Sequence, residues 1–243
     1  MSLQILVLAA VVISAVVILI RIHPLLIIFI TRLIFGKYNP KYVKTYKNFS
    51  GKSPYGYCIK DDFINHIAGF YGKSKATEIH ESNAEIIFGS FPFTNKYTRL
   101  FDSKGKAYCT NLERNNFFDL KIFGYRDDLV GSDIRSYFFF LDKRFFMGEH
   151  LLKMPAKDKI EEFSMILQKK YLGKQLTKSE KFIIKGKNNV LVLFENTGFN
   201  LSIKYLHQGD EEINKKLREF WDGSVFEQTL PEISFESELM DKL

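Results

Sequence analysis

The residues able to do chemistry are few and mostly isolated. Gly51-Lys52-Ser53 and Gly72-Lys73-Ser74 end like a phosphate-binding loop, but the required first glycine is replaced by Tyr46 and Ile67. Without that glycine-rich turn the backbone amides cannot wrap a phosphate. The histidines His23, His66, His80, His150 and His207 contain no i,i+4 pair, so no helix offers a two-histidine zinc face. Glu78-Ile79-His80-Glu81 sets carboxylates beside one histidine and reads as a solvated strand edge. His66, between Ile64 and Ile67, reads as a packing histidine. Cys58 and Cys109 are the only two cysteines. That number excludes a disulfide scaffold and a four-cysteine zinc site, and neither cysteine has a nucleophile signature around it. No G-x-S-x-G elbow occurs.

Acidic pairs divide by position. Asp61-Asp62, Glu161-Glu162 and Glu211-Glu212 open segments with helical periodicity, where the helix dipole accounts for them. Arg126, Asp127, Asp128 and Asp133 lie in a stretch read as a loop, and are the one polar cluster that no helix end explains. Arg114, Arg126, Arg135 and Arg144 alternate with aromatics, a composition that suits a nucleic acid or phospholipid surface and equally a solvated sheet face. No catalytic, cofactor-binding or metal-binding residue is assigned from these patterns, and no cofactor is implied.

The elements that carry these residues begin with a hydrophobic leader. Residues 3–20 hold thirteen Leu, Ile or Val and no charge. As a helix they span about 27 Å, near the thickness of a bilayer core. No Lys or Arg precedes them and no small-residue cleavage site follows, so a retained anchor is expected over a cleaved signal peptide. A second apolar run, 25–35, follows Arg21, His23 and Pro24, giving either a kinked span or a shallow hairpin. Residues 1–60 carry eight basic side chains and no acid, within a chain of net charge +7. Residues 222–243 carry six acids and one base. The lysine-rich flank places the body on the cytoplasmic side of an inner or plasma membrane, where both cysteines would stay reduced.

Asn39–Phe49 reads as an interfacial helix, capped by Asn39 and opened by Pro40. Lys37, Lys41, Tyr42, Lys44, Tyr46 and Lys47 are its lipid-contact candidates. The body, 61–221, shows helices at Asp61–Lys73, Ala156–Tyr171 and Asp210–Trp221. Strands are expected at Ala84–Phe91, Lys106–Thr110, Phe117–Tyr125, Tyr137–Leu141, Arg144–Gly148, Phe182–Lys185, Val190–Glu195 and Phe199–Tyr205. Strands joined by short turns must be antiparallel.

The fold expected is therefore α+β: an N-terminal transmembrane helix, then one domain with a mainly antiparallel sheet and about three helices covering one sheet face. The organisation is 1–36 membrane anchor, 37–60 basic juxtamembrane linker, 61–221 globular domain and 222–243 acidic tail. The functional expectation is a single-pass, membrane-anchored binding module that meets a protein partner, as an accessory subunit or an immunity-type protein would. An enzyme acting on a lipid or phosphorylated substrate is the alternative. Nucleic acid is disfavoured, because the basic charge sits beside the membrane.

Overall fold

The computed structural model describes residues 23–229 except 38, 52–53, 55–57, 60–62, 72–77, 115–117 and 176–178. The leader 3–20 and the end of the acidic tail, 230–243, lie outside the described residues. A helix α1 covers 23–35, and α2 covers Pro40–Ser50. The α2 start follows its sequence signal: the Asn39 side chain accepts from the Lys41 N–H at 2.9 Å, with Pro40 in the first turn. Among the described residues no helix is long and apolar enough to cross a membrane.

The body is α+β, built on one eight-stranded sheet in the order β1-β6-β7-β8-β5-β4-β3-β2. The strands are β1 Glu78–Glu81, β2 Cys109–Arg114, β3 Asp119–Leu129, β4 Ser132–Leu141, β5 Arg144–Lys153, β6 Lys181–Lys185, β7 Val190–Asn196 and β8 Asn200–His207. Every pairing is antiparallel except β1 with β6. The remaining helices are α3 Phe63–Tyr71, α4 Tyr97–Lys104, α5 Lys157–Leu172 and α6 Glu211–Thr229. The hairpin at Asp142-Lys143 forms without glycine, both residues taking positive φ, 47° and 76°. Such turns match the twist of the flanking strands.

Helices cover both sheet faces, not one. On one face α5 and the segment 84–96 enclose Phe123, Phe138, Phe140, Phe182 and Phe194. On the other, α3 and α6 enclose Leu120, Ile122, Phe139, Phe146 and Leu206. The continuous apolar run Tyr137–Leu141 belongs to a strand buried on both sides, since neighbouring side chains point to opposite faces. A fourth body helix, α4, was not expected; its single fully buried residue, Leu100, gives too weak a periodic signal.

Ala84–Phe91 is not a strand. It crosses the aromatic face as irregular chain with one Phe88–Phe91 bridge, and Phe88 lies flat over Gly148. A Cβ at Gly148 would fall 2.4 Å from the Phe88 ring. The apolar side chains read as a strand pattern are plugs: Ile86, Phe88 and Phe91 are all buried against the sheet.

Gly69 performs the matching task for α3. A Cβ there would fall 2.3 Å from Leu193 Cδ2, so the helix backbone lies directly against β7. Leu193 is fully buried and cannot swing aside. Gly69→Ala should lower stability by about 1–3 kcal/mol in chemical denaturation, the range for overpacking. That cost should shrink in a Leu193→Ala background, because the two sites share one contact.

Candidate functional site

Alternation along the strands decides which polar residues meet. Tyr137, Glu149, Lys204 and Leu193 stand side by side across β4, β5, β8 and β7, on the face covered by α3 and α6. The next row on that face reads Arg126, Arg135, Leu151, Ser202, Glu195 and Lys181. Beyond it Lys153 stands opposite Asn200. Where α3 stops covering these rows a cleft of about 360 Å³ opens.

The floor of the cleft includes a nearly buried carboxylate. Glu149 is 3 % exposed. It accepts from His66 Nδ1 at 2.9 Å and from the Ser202 hydroxyl at 2.7 Å. Burial by itself would raise its carboxyl. The hydrogen bond from His66, the Lys204 ammonium and the Ser202 hydroxyl outweigh burial and hold Glu149 well below the usual carboxylate range. Glu195 is held low in the same way: burial opposes, and Lys181 at 2.7 Å and Lys204 at 3.6 Å prevail.

An ionised Glu149 can only accept, so His66 Nδ1 must carry the proton of that bond. Nε2 then offers a lone pair when the ring is neutral and a proton when it is charged. Nε2 is itself buried and has no hydrogen-bond partner. A histidine oriented by a carboxylate, with its second nitrogen left over, is an arrangement that binds or moves a proton.

The second polar network lies on the opposite face. Ser136 Oγ meets His150 Nδ1 at 2.9 Å, and Lys104 Nζ reaches both oxygens of Asp127 at 2.8 and 3.0 Å. The His150 ring stacks on Phe88 with centroids 4.3 Å apart. Burial drives the His150 pKa down to about 4, against the partial pull of Asp127. Burial would raise Asp127, but hydrogen bonds from Lys104 and Ser136 hold it low.

The sequence-level cluster is thereby divided. Arg126, Asp127, Asp128 and Asp133 are strand residues of the β3–β4 hairpin, not a loop. Asp127 faces the aromatic side; Arg126, Asp128 and Asp133 face the other. Consecutive residues of a strand cannot share a site on one face. Arg144 is engaged by Asp210 at 2.8 Å and Glu212 at 2.6 Å, which removes it from any common arginine surface with Arg126 and Arg135.

The lipid-contact candidates divide as well. Lys41, Lys44 and Lys47 are exposed on α2, and Lys37 is exposed just before it. Tyr42 is buried together with Val43 on the side of α2 that meets β2, so its ring is withdrawn from any membrane. Tyr46 is half-buried beside it, with ring centroids 6.0 Å apart. Tyr42 thus lies against the protein, whereas Phe49, further along α2, is exposed.

Cys58 and Cys109 form a disulfide with Cα atoms 5.3 Å apart, contrary to the expectation of two thiols. It ties the linker to β2 at the edge of the cleft, and Cys58 N–H donates to Asn111 Oδ1 at 2.8 Å. Among the described residues no three His, Cys, Asp or Glu side chains converge as a metal site.

Sequence reasoning missed Glu149 and Lys204. The available signal was a charged residue inside each of two apolar strands, FFMGEHLL and LSIKYLH. Comparisons with protein-family models, curated proteins and solved structures return no match to this chain.

The His150 shift has a consequence for stability. Its folded pKa lies below the unfolded 6.5, so the unfolded chain binds more protons between about pH 6.5 and 4. Stability should therefore be highest above pH 6.5 and fall on acidification through that window, by about 3 kcal/mol in all. Thermal denaturation of His150→Gln against wild type should give a difference that changes with pH by this amount.

Proposed function

We propose that the chain is a membrane-anchored binding module whose cleft recognises a partner or ligand at the membrane surface. The observation that carries this reading is α1. Leu25, Leu26, Phe29, Ile30, Leu33 and Ile34 are each at least 44 % exposed, over about half the helix circumference. Such a patch is costly in water and stable in lipid. In sequence it follows Arg21 and the uncharged run 3–20, whose eighteen residues are long enough to span if helical. Lys41, Lys44 and Lys47 follow on α2, where their ammonium groups can meet phosphate head groups. The buried side of α2 couples this basic helix rigidly to β2.

Two arguments bear on the side of the membrane. The lysine flank favours the cytoplasm. The Cys58–Cys109 disulfide favours an oxidising compartment. The bond is the stronger argument, because a reducing cytosol would remove it, whereas whole domains cross membranes largely regardless of charge. The proposal therefore puts the folded body on the oxidising side.

Accessory-subunit and immunity-type roles both fit a tethered binding module. A second reading, hydrolysis of a phosphate ester, is favoured by the His66–Glu149 pair alone. Turnover by the full-length protein that vanishes in His66→Gln would decide for it.

Alkaline extraction should leave the full-length protein in the membrane pellet and release a chain lacking 1–36. Denatured in a maleimide polymer, the protein should gain no adduct before reduction and two after it. Two adducts before reduction would return the body to the cytoplasm, and release of the full-length chain would remove the anchor.

A further inference from the structure

The cleft holds more positive charge than its own acids consume. Glu195 is matched by Lys181 and Lys204, and Glu149 by His66, Ser202 and the Lys204 charge. Arg135 and Lys153 line the same cleft, and among the described residues neither has a carboxylate within ion-pair distance. Arg126 adjoins them, directly opposite Arg135 on the neighbouring strand and likewise without an ion pair there. Like charges opposed across a sheet are destabilising. Asp128 and Asp133 stand opposite each other one step further on, and Asp128 accepts from the Gly131 N–H at 3.1 Å. Three cations on adjacent strands, two of them guanidinium forks, match the several oxygens of a phosphate, monoester or diester, better than a single carboxylate.

The inner end of the cleft asks for different chemistry. His66 is 8 % exposed and its Nε2 has no partner. With Nδ1 committed to Glu149, a neutral ring leaves the Nε2 lone pair unmet. Ser202 and Asn200 add neutral polar groups to the wall between the two ends. A ligand that satisfies both ends carries a phosphate and, a few bonds away, a hydroxyl.

Building on the binding-module reading, we propose that this cleft is a site for a hydroxyl-bearing phosphate ester. The phosphate sits at Arg135, Lys153 and Arg126, and a hydroxyl donates to His66 Nε2. Glycerol phosphate is a small probe with both groups. It exists as a free metabolite-sized ester and as the head group of phosphatidylglycerol, and the two sources share this chemistry.

The test uses the full-length protein in phosphatidylcholine nanodiscs. Calorimetric titration should show glycerol phosphate binding more tightly than inorganic phosphate. Arg135→Gln should weaken both about tenfold, the size of a lost charged hydrogen bond. His66→Gln should weaken glycerol phosphate and leave inorganic phosphate unchanged, with thermal denaturation confirming that both variants are folded. If His66→Gln fails to fold, methylated glycerol phosphate replaces it: loss of the hydroxyl proton should cost the same factor. Exchanging a third of the nanodisc lipid for phosphatidylglycerol separates the sources. Competition with the soluble probe that disappears in Arg135→Gln identifies the lipid head group, and unchanged affinity identifies the free ester. Equal affinity for glycerol phosphate and inorganic phosphate, or indifference to Arg135→Gln, overturns the proposal. Neither result would touch membrane attachment or the oxidation state of the cysteines, on which the binding-module reading is tested.

Discussion

Glu149 must stay charged although it is almost wholly buried, and much of the surrounding architecture answers that demand. An ionised carboxylate is tolerated in an interior only when its lone pairs are met and opposite charge lies close. Here the partners come from three separate segments: His66 on α3, Ser202 and Lys204 on β8, with Glu149 itself on β5. Removing any one partner would weaken the compensation of a charge that stays buried. The network therefore holds α3 in one orientation on the sheet and pins the β5–β8 junction, where the two antiparallel halves of the sheet join.

Close backbone approach makes that network reachable. α3 can bring His66 to Glu149 because Gly69 lets the helix lie against Leu193. On the opposite face Gly148, next to Glu149 in sequence, admits the Phe88 ring. One short stretch of β5 thus carries a glycine facing the aromatic core, a carboxylate facing the polar cleft and then His150 facing the aromatic core again. The two histidines differ accordingly. His150 lies among rings and is kept neutral by burial. His66 keeps one nitrogen in reserve at the edge of a cleft.

The anchor and the cleft are linked through the chain between them. α2 docks on β2 through Tyr42 and Val43, and the linker that follows is tied to the same strand by Cys58–Cys109. Cys58 is also part of the cleft wall. A disulfide stabilises mainly by restricting the unfolded chain. In this position it also holds the linker against the sheet, so the opening of the cleft keeps a set relation to the basic helix.

Much of the secondary structure was legible from local pattern alone. The apolar periodicity of α3, α5 and α6, the Asn39-Pro40 start of α2 and the existence of strands β2 to β8 follow from residue spacing, but several ends do not: β2 is shifted to Cys109–Arg114, β4 starts at Ser132, β5 runs on to Lys153 and α6 runs on to Thr229. These features depend on neighbours in the chain, and the chain displays its neighbours. The misreadings share the opposite cause. Ala84–Phe91 has strand composition but serves as a plug. Asp127 and Asp128 are adjacent in sequence and separated by a sheet. Tyr42 looks outward on a helical wheel and faces β2. Glu149, His66 and Lys204 are far apart in the chain and meet only after β5, β8 and α3 are stacked. Which faces of the elements are covered, and by what, is settled by strand order and helix placement, and a one-dimensional pattern cannot encode contacts between segments more than fifty residues apart.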